Sequence, residues 1–188
     1  MKRLPPALTF FRLVAGVGFV PLVFCHAGAG FLVALLLAGV ASDVADGVAA
    51  RRLGIATLAL RRLDTRADLV FYGFATAAAL ATTPVPAAVL LPWCAAYFSL
   101  FLLRNLVDYF RYRASPSYHM WSGKLWSVVV CVHLGLLFCG RSAFFLLPVA
   151  FMLYALNAVE GIIASLVLPT PCQDIPSVWH VLKLPRRP

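Results

Sequence analysis

Asp43, Asp46, Asp64 and Asp68 flank a single basic loop and account for four of the seven acidic residues in the chain. Asp43 and Asp46 are spaced i, i+3 and Asp64 and Asp68 i, i+4, so on helices each pair shares one face. An antiparallel hairpin would set the two pairs opposite each other in an otherwise apolar stretch. Carboxylates in such a setting are costly and face a cavity or a partner. Four like charges that close cannot all stay ionised without a counter-ion. Hard divalent cations with oxygen ligands, Mg²⁺ or Mn²⁺, suit that task, and Mg²⁺ sites combine few carboxylates with phosphate oxygens. A plainer arrangement also stands open, in which nearby arginines pair with the acids on a solvated helix-loop-helix.

The residues between the acids fit a phosphate ligand. Gly47 has no side chain, so a ligand can approach the helix closely. Ala50 is small and lies near it on the same face. Arg51, at i+4 from Gly47, offers a planar donor fork that suits a diphosphate. One helix face thus reads acid, acid, glycine, alanine, arginine.

The run Asp43-x2-Asp46-Gly47-x2-Ala50-Arg51, eight residues, then Leu60-x3-Asp64-x3-Asp68 resembles the signature of the CDP-alcohol phosphatidyltransferases, D-x2-D-G-x2-A-R-x8-G-x3-D-x3-D. Seven of its eight fixed positions match, with every spacing intact. The segment Pro6-Ala7-Leu8-Thr9-Phe10-Phe11-Arg12 is similar to the family's first-helix opening, Pro-Asn-x-Leu-Thr-x2-Arg. Two positions depart from these patterns: Leu60 replaces the second glycine and Ala7 the asparagine. Both bear on donor preference and leave the four carboxylates untouched.

The resemblance implies transfer of a phosphatidyl or similar substituted phosphate group from a CDP-linked donor such as CDP-diacylglycerol to an alcohol, with release of CMP. It implies that Asp43, Asp46 and Asp64 bind a pair of divalent ions, with Asp68 near the second ion and acting as general base. Gly47, Arg51 and Thr57, with Thr9, would hold the cytidine diphosphate portion. Phosphoryl transfer asks for positioning and charge neutralisation more than covalent help, and a two-ion site supplies both. Arg104 in Arg104-Asn105-Leu106-Val107-Asp108, together with Gly123-Lys124, loosely resembles the Arg-Glu and Gly-Lys elements of phosphatidylglycerophosphate synthases. On that resemblance Arg104 and Lys124 would bind a phosphorylated acceptor, glycerol 3-phosphate. Equally, Arg104 can pair with Asp108 one turn along the same helix. Arg61, Arg62 and Arg66 can bind acceptor phosphate or simply mark the cytoplasmic side, and Glu160 can hydrogen-bond across the bundle or pair with Arg12 or Arg104.

Six apolar segments could carry these residues, near 6–26, 31–52, 64–83, 86–110, 122–140 and 143–168, each close to the roughly 20 residues that a bilayer demands. The first could pass for a signal peptide, but the apolar runs after it argue for a first membrane helix. Hydrophobic residues make up 62% of the 188-residue chain and charged residues 12%, with a mean hydropathy of +0.90. So few polar groups cannot cover a water-soluble fold of this size. The expected fold is therefore all-α and polytopic, with a six-helix domain over 1–168 and an interfacial tail over 169–188.

A net charge of +9 can indicate nucleic acid, but this apolar content turns it toward an anionic membrane face or lipid substrate and excludes nucleic acid as a partner. Fifteen of the sixteen basic residues fall toward one side of the six segments. The positive-inside rule then puts both termini and the aspartates at the cytoplasmic face, as in a bacterial inner membrane. The five cysteines form no Cys-x2-Cys pair and no zinc spacing with histidine, and those in apolar runs read as small buried hydrophobes. The small-residue run at Ala77–Ala79 leaves a homodimer open. Two rival functions are a secondary transporter using intramembrane acids, against which no internal repeat is visible, and a catalytically silent membrane scaffold.

Overall fold

The computed structural model describes residues 4–53, 58–83, 85–113, 116, 118, 120–141, 143–170 and 175–183, with the backbone alone at 4, 5, 50, 51, 58–62 and 65. The helices are α1 (Leu4–Phe24), α2 (Ala29–Arg52), α3 (Leu58–Thr82), α4 (Ala87–Tyr112), α5 (Trp121–Phe138), α6 (Leu146–Val167) and the short α7 (Val178–Lys183). Among the described residues there is no β-strand. Five helices, α1, α2, α4, α5 and α6, are long and apolar enough to cross a membrane. The expected third span falls on α3, which is 25 residues long. Arg61, Arg62, Asp64, Arg66 and Asp68 crowd its first half and leave it less apolar than the other five. The chain is an integral membrane protein, all-helical where it is described.

The helices form two compact units, one of residues Met1–Pro84 and Leu134–Ser142, the other of Val85–His133 and Ala143–Pro188. In the first, α1 packs against α2 and α3 through stripes at helical spacing. Thr9, Arg12, Gly16 and Phe19 of α1 are buried, as are Leu32, Leu36, Gly39, Ser42 and Asp46 of α2 and Ala67, Phe71, Ala75, Ala78 and Ala79 of α3. Each stripe is apolar at one end and polar at the other. At the apolar end the Phe71 ring covers Gly39, where any Cβ would fall inside the ring. A Cβ on Gly16 would meet the Phe71 Cα at 2.9 Å, so glycine sets how closely α1 approaches α3. Phe19 completes this layer, 5.7 Å from the Phe71 ring and stacked on Phe138 at 5.5 Å. Thr83 ties down the end of α3 by donating to the Leu137 carbonyl at 2.7 Å.

In the second unit α4 packs on α6, and α7 on the end of α6. Ile175 and Val181 from the tail join Tyr118, Met120, Ala164 and Leu168 in one buried cluster. The Ile175 N–H donates to the Tyr118 carbonyl at 2.8 Å and the Trp121 N–H to the Pro176 carbonyl at 3.0 Å. Burial pushes the Tyr118 phenol well above its usual range, so it stays neutral, in contact with Ser165 Oγ at 2.8 Å. The expectation of buried cysteines is corrected: Cys25, Cys94 and Cys139 are exposed, and Cys131 is partly so. They sit on outward faces alongside large apolar residues such as Phe24 and Phe98, where lipid rather than protein is the apolar medium.

Candidate active site

The polar end of the α1–α2–α3 stripes gathers five side chains. The helical repeat that buries Leu36 and Gly39 brings Ser42 and Asp46 to the same face of α2, with Asp43 at its edge. On α3 the repeat that buries Phe71 and Ala67 brings Asp68 and Asp64 to that face one and two turns before Phe71. Carboxylate oxygens of Asp43, Asp64 and Asp68 lie within 4.8 Å of one another, close enough for one metal ion. α1 packs against both α2 and α3, and across it the four aspartates converge on one guanidinium.

Arg12 stands at their centre. Its guanidinium donates from Nη1 to Asp43 Oδ1 at 2.7 Å and to Asp68 Oδ1, and from Nη2 to Asp46 Oδ2. Nη2 also lies 3.0 Å from Asp64 Oδ1. The Arg12 side chain is 1% exposed and that of Asp46 7%, whereas Asp43, Asp64 and Asp68 keep 42%, 26% and 34% of their surface. The site is therefore closed toward α1 and open on the side of these three acids. Thr9 Oγ1, one turn before Arg12, donates to Asp46 Oδ2 at 3.3 Å.

A single guanidinium does not balance the cluster, since four ionised carboxylates around it leave a formal charge of −3. Among the described residues, Asp64 Oδ1 is buried without a hydrogen-bond partner, and so is Arg12 Nε. A buried acceptor left unmade costs about 1–3 kcal/mol. An all-oxygen donor set with surplus negative charge, in which Asp64 Oδ1 meets a guanidinium nitrogen but accepts no hydrogen bond among the described residues, suits a hard divalent cation. The residues present fit such an ion.

Arg12 is the residue that sequence reasoning left out of this site. Its partners lie 31 to 56 positions away, beyond any local spacing rule. Two signals were available: its match to the arginine that ends the first-helix opening, and its spacing from Thr9, Gly16 and Phe19 on a single face of α1. The plainer expectation, in which nearby arginines pair with the acids, falls largely on Arg51, Arg61 and Arg62, whose side chains lie outside the described residues; the arginine that bridges all four acids comes from another helix. Gly47 sits partly exposed on α2 beside Asp46. Arg51 is described by its backbone alone, as is Leu60, and Thr57 lies outside the described residues.

Arg104 and Lys124 belong to the second unit. Arg104 Nη1 donates to Asn157 Oδ1 at 2.9 Å. Asn157 Nδ2 donates to Ser122 Oγ at 3.1 Å, and Ser122 donates to Glu160 Oε2 at 2.5 Å. A cation on α4 is thus linked to a carboxylate on α6 through an amide and a hydroxyl. The Arg104–Asp108 pair, one of the two readings open for Arg104, is not formed: among the described residues no ion pair joins them, and Asp108 accepts from Ser165 Oγ at 2.5 Å. Gly161, with no side chain, leaves the guanidinium room against α6. A Cβ there would lie 2.9 Å from Arg104 Cζ. Lys124 is exposed and lies 4.3 Å from the centre of the Trp121 ring.

A helical membrane protein with clustered aspartates at the end of one helix layer is the class that fold and site define. Within that class the chain belongs to the CDP-alcohol phosphatidyltransferase family, whose model matches residues 2–169. No curated protein and no solved structure matches the chain. As a member of this family, it is a transferase of phospholipid metabolism that acts on a CDP-alcohol.

Proposed function

We propose that the protein transfers a phosphatidyl group from CDP-diacylglycerol, or a similar CDP-linked lipid, to an alcohol acceptor and releases CMP. The observation that supports this most is the convergence of Asp43, Asp46, Asp64 and Asp68 from two helices on one point. These four would hold two divalent ions, Mg²⁺ or Mn²⁺. Bound there, the ions would neutralise charge on the attacking and leaving oxygens. Asp68, a third exposed, would take the proton of the acceptor hydroxyl. Gly47, Arg51 and Thr57 would hold the cytidine diphosphate. Thr9, whose hydroxyl donates to Asp46, would orient that carboxylate as well as border the donor.

For the acceptor we favour glycerol 3-phosphate, as in phosphatidylglycerophosphate synthases, with Arg104 and Lys124 meeting its phosphate. The hydrogen bond from Arg104 to Asn157 favours a second reading, in which Arg104 is a structural tie between α4 and α6. In our reading 1–168 form one catalytic domain of six membrane helices and 169–188 a tail. Both termini and the aspartates face the cytoplasm of a bacterial inner membrane, and the protein can act as a homodimer.

The test is purified protein in detergent with CDP-diacylglycerol, Mg²⁺ or Mn²⁺, and a panel of glycerol 3-phosphate, inositol phosphate, serine and phosphatidylglycerol. CMP release stimulated by glycerol 3-phosphate is expected. Stimulation by another acceptor alone overturns the acceptor reading, and no CMP under any condition favours the scaffold. Under the acceptor reading Arg104→Gln raises KM for glycerol 3-phosphate at an unchanged melting temperature. Under the structural reading it lowers the melting temperature at an unchanged KM.

A further inference from the structure

We propose that Arg12 is a tethered counter-ion, which holds the four aspartates together before divalent ions are loaded and must withdraw from them for loading. It is then a positioning residue that sets the ion affinity of the site. This rests on the divalent-ion reading above and adds a competitor from the chain itself.

Three observations carry it. The guanidinium reaches all four carboxylates, from α2 and from α3, with its two terminal nitrogens. Three of those carboxylates, Asp43, Asp64 and Asp68, form the group that could hold an ion, so guanidinium and ion compete for the same acids. The arrangement also leaves its own atoms short of hydrogen bonds: among the described residues Arg12 Nε donates to no acceptor, and Asp64 Oδ1 accepts no hydrogen bond although Nη2 lies 3.0 Å away. A guanidinium committed to its final place would have its buried N–H groups satisfied.

The physics sets the sign. Without Arg12, four carboxylates on two helices would repel one another and drive α2 from α3. With Arg12 in place, a doubly charged ion meets a fixed positive charge at the point it must occupy. Removing that charge weakens the ion-free protein and strengthens ion binding.

The experiment measures Mn²⁺ binding to the purified, detergent-solubilised chain by the loss of the free-ion electron paramagnetic resonance signal. Thermal unfolding is followed in parallel, in chelator and in saturating Mn²⁺. Arg12→Gln is expected to bind Mn²⁺ at least about tenfold more tightly than the unaltered protein, since it removes a like charge within a few ångströms of the ion. It should melt lower in chelator and recover more on adding Mn²⁺. Arg12→Lys keeps the charge but loses the fork, so it should tighten binding by a smaller factor. Unchanged or weaker binding in Arg12→Gln, while the unaltered protein binds Mn²⁺, overturns this inference and leaves the divalent-ion reading standing. If Arg12→Gln does not fold, Arg12→Lys decides: binding no tighter than that of the unaltered protein overturns it. No Mn²⁺ binding by the unaltered protein, with Asp64→Asn indistinguishable from it, removes the divalent-ion reading and this inference together.

Discussion

Asp68 and Asp46 share the Arg12 guanidinium but not their surroundings. Asp46 is nearly closed off and also accepts from Thr9, while a third of the Asp68 side chain stays open. A base must be reachable from solvent, and of the two Asp68 is the more open, which is what favours it in our reading. Asp68→Asn keeps the shape and removes the charge, and we expect at least about a hundredfold loss of CMP release, the lower end of what general-base catalysis contributes. A melting temperature within a few degrees of the unaltered protein should accompany it. Full activity in that variant would unseat Asp68 as base. At this scale the four aspartates were legible because helical spacing alone puts each pair on one face. Arg12 was not, because its contacts are made between helices distant in sequence. Of the two readings open for Arg104, the i, i+4 pair with Asp108 gives way to a bond across to Asn157 on α6, beside the side-chain-free Gly161.

Between residue and site stand the helix contacts that hold α2 and α3 at the right separation. Phe71 does this by filling the space over Gly39, close to where Gly16 lets α1 reach the α3 backbone. A larger residue at position 39 must push the ring aside, and the acidic pairs would part with it. Gly39→Val should destabilise the protein by about 1–3 kcal/mol, the usual range for overpacking, and weaken Mn²⁺ binding although no ligand changes. Pairing it with Phe71→Leu should restore part of both, so that the double variant melts above the sum of the single effects. Additive losses would show that the ring and the glycine do not share this space. In the second unit, Asn157→Leu should cost about 1–3 kcal/mol by leaving Ser122 and Arg104 without their amide partner, read as a lower melting temperature in detergent. The α1 and α2 segments were legible from apolar length. The contact at Phe71 was not, because one-dimensional spacing marks a buried face without saying which ring meets which glycine.

For the chain as a whole, the distribution of charge decides which way the helices run. The described outer faces carry Phe10, Val17, Phe31, Val44 and Leu69, all exposed, as expected of helices solvated by lipid rather than water. Five helices satisfy length and apolarity outright. A sixth crossing, in our reading, would be α3, whose first half carries Arg61, Arg62, Asp64, Arg66 and Asp68 and is the less apolar for it. If α3 does cross, the chain alternates sides at each of its first three helices, and the connection at 27–30 lies opposite the aspartates. Positions on either side of α2 can test this. Gly28 is exposed, and a Cβ there meets nothing within 4 Å, while Arg52 is exposed at the other end of the helix. In a cysteine-free background, Gly28→Cys should react with a membrane-impermeant maleimide in intact spheroplasts, and Arg52→Cys only after permeabilisation. The reverse pattern would put the aspartates on the outer face, away from a cytoplasmic supply of CDP-linked donor. Because the basic residues flanking the acids are the ones the positive-inside rule counts, neutralising Arg61, Arg62 and Arg66 together should blur this asymmetry, whereas neutralising Arg141 should not.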